Sequence, residues 1–407
     1  MKAWIMSVGD EVLSGRVVNT NSSYLATKLE EIGITTKEMV VCGDDSSQID
    51  YHIQNFLKSD CEVLISSGGL GPTHDDITVK AISDSLGLEL VYYKEAEDNI
   101  KRYFKNYNYN SCNLKQAYFP KGSIIIPNNL GTAPGAILEV DGKIIIILVG
   151  PPFELKPMFE EHCIPHLNKY NPNKLLVNNY TVMGVGESEI EPTIMEIATR
   201  NPKVSINPYF SIGKIRFQLS TEEKNLLEFN TAKKDFEVTL GEYIISSENE
   251  NIEEVLVKRL KELKYTISFC ESCTGGLLAS TIIDVSGASS VINESLVTYS
   301  NESKIKYLNV SNQTIEKYDV ASLEVAKEMS EGLFELTKSN VCVSVTGVAG
   351  PTSPNPEIPV GSVFFGVSIN GETTLFSNVF KGNRSLVRQK AVKWILYKTY
   401  LLLKERG

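Results

Sequence analysis

Histidine is scarce in this 407-residue sequence: there are four, and none follows His166. A Ser-His-Asp triad inside the C-terminal half is therefore excluded by composition. Cysteine is sparse too. Seven residues, scattered and odd in number, do not make the disulfide framework of a secreted domain. Long apolar runs are missing: the longest, Ile144–Val149, falls far short of the roughly 18 residues of a membrane span. The apolar N-terminal stretch is likewise too short for a signal peptide. Bases are in the minority, 40 against 50 acids, for a formal charge of −10. A net negative field repels phosphate backbones and disfavours a dedicated nucleic-acid binder. What remains is an ordinary globular composition, 42% apolar, with room at roughly 100–200 residues per domain for two to four domains. The expectation is a cytoplasmic multidomain protein with no membrane segment.

Short β-rich runs alternate with amphipathic helices over residues 1–170, which predicts a parallel, helix-flanked sheet. Ala3–Val8 reads as a buried strand and Asn21–Glu31 as a helix capped by Asn21 or Ser22. Ser46–Lys58 reads as a second helix, and Glu62–Ser66 as a strand ending in a glycine-rich turn. Ala136–Val140 and Lys143–Val149, joined by Asp141-Gly142, predict a hairpin. A polar linker at Asn171–Lys174 precedes a small α/β segment over 175–247, and a second junction at Ser247–Asn251 precedes α/β alternation over 250–407. Strand Thr266–Cys270, helix Gly275–Val285 and helix Ser322–Lys338 fall in this last part. The predicted class is α/β in three units.

Two strand-to-helix turns carry candidate chemistry. In the first, Gly68, Gly69 and Gly71 let backbone approach a ligand, and Thr73, Asp75 and Asp76 follow. Asp44, after an adjacent strand, can converge on the same sheet edge. Carboxylates there suit a divalent cation held against a phosphate, or a general base. The competing reading is a tight turn with Asp75 or Asp76 as helix N-cap.

In the second turn, Cys270-Glu271-Ser272-Cys273-Thr274-Gly275-Gly276, a serine hydroxyl faces a helix N-terminus. Serine needs a base, and with histidine absent the available bases are lysines, Lys304 among them, if burial lowers the pKa. Tyr299 is placed to relay the proton or hold the amine. Ser272 or Thr274 as a plain helix cap, and Cys270/Cys273 as a redox C-x-x-C pair, remain open alternatives.

The sequence resembles the CinA family (competence/damage-inducible protein A). Over about 1–170 the resemblance is carried by Gly9-Asp10-Glu11-Val12-Leu13-x-Gly15, Gly68-Gly69-x-Gly71-Pro72-Thr73-x-Asp75-Asp76 and Gly131-Thr132-Ala133-Pro134-Gly135. It implies a molybdopterin-binding-like three-layer domain with metal-dependent hydrolysis of ADP-ribose. Asp44 and Asp76 match the family's acidic pocket positions, and the implied metal is Mg, Mn or Co. Over about 250–407 the resemblance rests on Glu271–Gly276, Val297–Asn301, Thr346-Gly347-Val348-Ala349-Gly350-Pro351 and Pro359-Val360-Gly361. It implies a nicotinamide mononucleotide (NMN) deamidase needing no cofactor. Ser272 is then the nucleophile, Lys304 and Tyr299 the base partners, and the amides near Cys273 and Thr274 the oxyanion hole. Gly275, Gly276, Gly347 and Gly350 shape the substrate site, and Arg384 and Arg388 grip its phosphate. This chain departs from the usual family sequence at Val149, at Asn383 and in the loop Ser353–Ile358.

The family's middle domain is KH-like, yet residues 175–247 lack the Gly-x-x-Gly clamp and 184–191 is acidic, which favours a spacer or dimerisation role. A homodimer is expected by family analogy. His162 and His166 are read as packing or surface residues, with Pro165 between them. The stretch of Tyr103, Tyr107 and Tyr109 with Lys101, Arg102 and Lys105 is read as a solvated helix face, against an adenine-stacking alternative.

Overall fold

The computed structural model describes residues 1–104, 112–171 and 175–406. The predicted linker residues 172–174, and Lys105, Tyr107 and Tyr109, lie outside the described residues. Two compact units result: Met1–Leu176 with Glu222–Lys224, and Val177–Thr221 with Asn225 onward.

In the first unit, β1 (Lys2–Val8), β2 (Thr35–Cys42) and β3 (Val63–Ser67) are followed by the short antiparallel pair β4 (Leu90–Tyr92) and β5 (Tyr118–Pro120). Then come β6 (Ile124–Ile126), β7 (Gly135–Val140) and β8 (Lys143–Leu148). The main sheet runs β2-β1-β3-β8-β7-β6, with β2, β1, β3 and β8 parallel, β7 antiparallel to β8, and β6 antiparallel to β7. β3 and β8 bury Val63–Ile65 and Ile145–Leu148 completely, as continuous apolar runs do when helices cover both sheet faces. The β7–β8 hairpin turns at Asp141 and Gly142, both at positive φ (49° and 76°), which is why this dipeptide announced it. The first long helix is Thr20–Glu31, and its cap is Asn19, whose side chain accepts from Ser22 N–H, not Asn21 or Ser22. Helix Ser46–Lys58 stands where predicted, capped by Asp45. Helical backbone runs without interruption from Pro152 to Leu167, widening into a π turn at Phe159–Cys163. Pro165 within it has no N–H to donate.

In the second unit a small sheet, order β10-β11-β9-β12, is built from β9 (Leu175–Val182), β10 (Ser205–Ser211), β11 (Lys214–Glu222) and β12 (Ile244–Ser246). A five-stranded sheet, order β14-β13-β15-β16-β17, uses β13 (Ile267–Glu271), β14 (Ile292–Val297), β15 (Val341–Gly347), β16 (Ser362–Ile369) and β17 (Glu372–Val379). β13 is parallel to β14 and β15, and β16 and β17 are antiparallel. The helix after β13 starts at Leu277, not Gly275, because Gly275 and Gly276 adopt φ of 59° and 90°.

In each unit two adjacent parallel strands, β1 with β3 and β13 with β15, lead off to opposite sides. Open α/β sheets hold ligands at such reversals, beyond the carboxyl ends of the strands. Among the described residues no helix is long and apolar enough to cross a membrane.

Candidate functional site

Beyond β13 and β15 the structure brings Ser272 and Lys304 together. Lys304 lies on the helix Asn301–Leu308, capped by Ser300, and its side chain is wholly buried. Its Nζ donates to Thr298 O at 2.8 Å and Tyr299 O at 3.1 Å, and lies 3.0 Å from Ser272 Oγ. Burial lowers its pKa from an ordinary 10.5 to about 8, while the nearby thiols of Cys273 and Cys270 act in the opposite direction. The amine donates to two carbonyls but has no carboxylate partner among the described residues, so the cost of burying its charge is only partly offset. A serine hydroxyl against an amine that deprotonates near neutral pH is a nucleophile–base pair.

Tyr299 holds the amine through its backbone carbonyl. Its phenol points elsewhere, accepting from Arg384 Nη2 at 3.1 Å, and its side chain is 60% exposed. The proton-relay role considered for that phenol has no support in this geometry. Arg384 also donates to Gly350 O at 2.8 Å. It stands exposed in the first turn of the helix Arg384–Lys404, where an anion is welcome. Arg388 is turned inward onto Thr274 O, at 2.5 Å, and so braces the nucleophile turn. Asn383 caps this helix by accepting from Leu386 N–H at 3.0 Å, so asparagine here does the work of an aspartate cap. The 353–358 loop braces itself: Ser353 Oγ bonds the carbonyls of Asn355 and Ile358.

Ser272 N–H is taken by Val345 O at 2.9 Å. Among the described residues the N–H groups of Cys273 and Thr274 have no backbone acceptor. The helix N-terminus itself is not available. Glu271, which the sequence reading passed over, fills it with a fully buried carboxylate. An acid directly before the serine, six residues upstream of the first helical residue, was its only signal. Cys270 and Cys273 are both free thiols; burial pushes Cys273 up to about 12 and Cys270 well above its usual range. A redox pair needs an accessible thiolate, so that alternative falls. Gly347 is required by packing, since a Cβ there would lie 2.4 Å from Ser362 O.

Beyond β1 and β3 lies an open cleft of about 530 Å³, lined among others by Gly9, Asp44, Gly68, Asp75, Asp76 and Glu154. Gly68 and Gly69, at φ of 102° and 68°, press the loop onto β1 and the next helix; a Cβ would come within 2.2 Å of Val8 O and 2.1 Å of Thr78 Oγ1. Neither Asp75 nor Asp76 caps that helix, whose N-cap is Ile77. Asp76 folds back to accept from Thr73 N–H at 2.9 Å and from the Thr73 hydroxyl. Asp44 and Asp10 exchange backbone-to-carboxylate bonds of 3.1 and 3.3 Å. Burial and then the charges of Asp10, Glu11 and Asp75 raise the Asp44 pKa, although the Asp10 N–H opposes them. Val149 is buried beside this cleft, and Gly150 O accepts from Asn21 Nδ2 at 2.7 Å, so the turn is well anchored. Tyr103 also lines the cleft.

Among the described residues no three His, Cys, Asp or Glu side chains form a metal cage. The donors facing the cleft are carboxylate oxygens, which suit Mg²⁺ or Mn²⁺. Such ions are held by one or two carboxylates together with substrate phosphates. Asp44, crowded by like charge, fits a cation shared in that way. His162 and His166 form no metal site; His166 Nε2 lies 2.9 Å from Glu139.

Fold and sites define a multidomain α/β protein with a molybdopterin-binding-type unit and a C-terminal unit of CinA type. Residues 4–169 match the family described as "Probable molybdopterin binding domain", and residues 249–403 match the CinA C-terminal domain. A protein of Caldicellulosiruptor saccharolyticus named for competence-damage induction is 39% identical over 401 residues, 97% of each chain. A CinA-like protein of Kosmotoga olearia is 40% identical over 402 residues, again 97% of each chain. A solved CinA structure from Thermoplasma acidophilum, described as of unknown function, is 34% identical; the match covers 40% of this chain and 96% of that one, at a TM-score of 0.39. The chain belongs to the CinA, or competence/damage-inducible, family.

Proposed function

We propose that the C-terminal unit is a serine–lysine amidase that deamidates NMN. The observation that carries this reading is Ser272 Oγ 3.0 Å from a buried Lys304 whose pKa is lowered to about 8. Neutral Lys304 takes the Ser272 proton as Oγ attacks the carboxamide carbon. The tetrahedral oxyanion is received by the N–H groups of Cys273 and Thr274. The ammonium of Lys304 returns the proton to the leaving nitrogen, and ammonia departs. Water, deprotonated in turn by Lys304, releases nicotinic acid mononucleotide. Arg384, exposed at a helix N-terminus, receives the phosphate. The alternative of a helix cap does not account for burying a lysine against the serine. Ammonia release from NMN by the purified chain in excess EDTA is the test. Undiminished release is expected, and no release with or without chelator overturns the reading.

For the N-terminal unit we propose hydrolysis of the ADP-ribose pyrophosphate. Gly68–Gly71 would cradle phosphate, and Asp44, with Asp75 and Asp76 at the same mouth, would hold Mg²⁺, Mn²⁺ or Co²⁺. When bound, the cation neutralises charge on the pyrophosphate oxygens. A DNA-uptake partner or a pterin-binding module are the competing readings. The acidic cleft opposes the first, and protection of the unit against unfolding by a pterin but not by ADP-ribose would favour the second.

A further inference from the structure

We infer that Glu271 is a positioning residue for the Ser272 nucleophile. Its buried carboxylate, bonded to the N–H groups of Gly276, Leu278 and Ala279, shapes the turn that presents Ser272 and frees two other amides for the oxyanion. The inference rests on the amidase reading and deepens it.

A fully buried carboxylate is costly unless hydrogen bonds compensate for its lost water. Among the described residues Glu271 makes no ion pair. Its oxygens instead accept from Gly276 N–H at 3.0 Å, Leu278 N–H at 3.0 Å and Ala279 N–H at 2.9 Å. These are N–H groups at the start of the helix Leu277–Ile283, which has no side-chain cap at Gly276. Glu271 supplies that cap from the strand side. Its own carbonyl accepts from Thr298 N–H at 2.9 Å, and Ser272 N–H donates to Val345 O at 2.9 Å. The residue is thus fixed to the sheet by its backbone and to the helix by its carboxylate. The chain between, Ser272 to Gly275, closes into a loop that is completed by Gly275 N–H on Ser272 O at 3.1 Å. Gly275 and Gly276 take the left-handed conformations that this closure needs. Two consequences follow. The positive helix end is neutralised from inside, so the substrate meets the amides of Cys273 and Thr274 and not those of the helix. Serine and amides are also held before substrate arrives, which is where misplacement is expensive in rate.

Glu271→Gln tests this, because glutamine keeps the shape but has one acceptor oxygen. It cannot serve Ala279 on one side and Gly276 with Leu278 on the other; one donor must face an NH₂ group. Turnover of NMN is measured per Ser272 titrated with a fluorophosphonate, together with the labelling rate. The expected result is a fall of about 100-fold in kcat and in labelling, with KM within about threefold and the pH midpoint near 8 unmoved. A merely structural role would lower the titratable fraction and leave turnover per titrated serine alone. That outcome, or labelling and kcat within about threefold of the parent, overturns the inference. Should Glu271→Gln fail to fold, Gly276→Ala carries the test. A Cβ there meets nothing closer than 3.7 Å, yet the backbone sits at φ of 90°. It is expected to lower kcat per titrated serine in the same way, and parental turnover would overturn the inference. A parent that is neither labelled nor active on NMN overturns the amidase reading and this inference together. A labelled, active parent with an equally active Glu271→Gln overturns only the inference.

Discussion

Ser272 and Lys304 lie beyond the parallel pair β13/β15 and are almost wholly enclosed, whereas Asp44, Asp75 and Asp76 lie beyond the parallel pair β1/β3 at the mouth of an open cleft. The topology is the same and the environments are opposite. A lysine becomes a base only where water is withdrawn from its charged form, so the first site must be closed. On the proposed reading, carboxylates that would share a cation with a phosphate must keep their charge and admit a large polyanion, which an open, acidic cleft allows. The resulting pKa shifts are both products of burial. Burial lowers the Lys304 pKa toward the range of a base; at Asp44 the smaller like-charge effects of Asp10, Glu11 and Asp75 add to burial.

The sharpest way to break this contrast is at the nucleophile. Ser272→Ala should reduce NMN deamidation by at least about 10³-fold while leaving ADP-ribose hydrolysis untouched. Parallel loss of both activities would mean that the two sites are not independent. Next comes the base. Lys304→Arg retains the charge, but a guanidinium cannot accept the proton, and a loss of about 10²–10⁴-fold in kcat is expected. Lys304 also links stability to pH. Its folded pKa of about 8 lies below the ordinary 10.5, so between those values the unfolded chain binds the extra proton. Stability should therefore rise with pH across that window, and urea titrations of Lys304→Met should lack the rise. At the open site, Asp44→Asn should cut ADP-ribose hydrolysis by about 10- to 100-fold and weaken the dependence on divalent metal. Its unfolding free energy should change by no more than about 1 kcal/mol, and upward if at all, because like charge is removed. The smallest effect is expected at Tyr299→Phe. The carbonyl holds Lys304 and, among the described residues, the phenol hydrogen-bonds only Arg384, so a change of about tenfold or less, mostly in KM, is expected.

Much of this was legible in the sequence because local signals and tertiary demands agreed. Apolar runs at 63–65 and 144–148 announced buried strands, Asp141-Gly142 announced its hairpin, and the lack of histidine pointed to Lys304, which the fold brings to 3.0 Å from Ser272 Oγ. Where the reading went astray, the deciding contact was distant in sequence. Asn19 captured the cap that Asn21 or Ser22 was expected to provide. The helix after Ser272 starts two residues late because Glu271 reaches across the turn to its amides. Of the two roles open to Tyr299, the fold shows the holding of the amine, through a backbone carbonyl that every residue has and no motif reveals. Residues 105, 107 and 109 of the aromatic stretch are outside the described residues, while Tyr103 lines the cleft.

On the proposed mechanism, buried Lys304 deprotonates near pH 8 to activate Ser272. The most direct test is the pH dependence of ammonia release from NMN between pH 6 and 10, with Ser272→Ala as background. The account predicts kcat/KM rising about tenfold per pH unit and levelling off near pH 8. A rate that is flat from pH 6 to 9, or still rising steeply beyond 10, would contradict it.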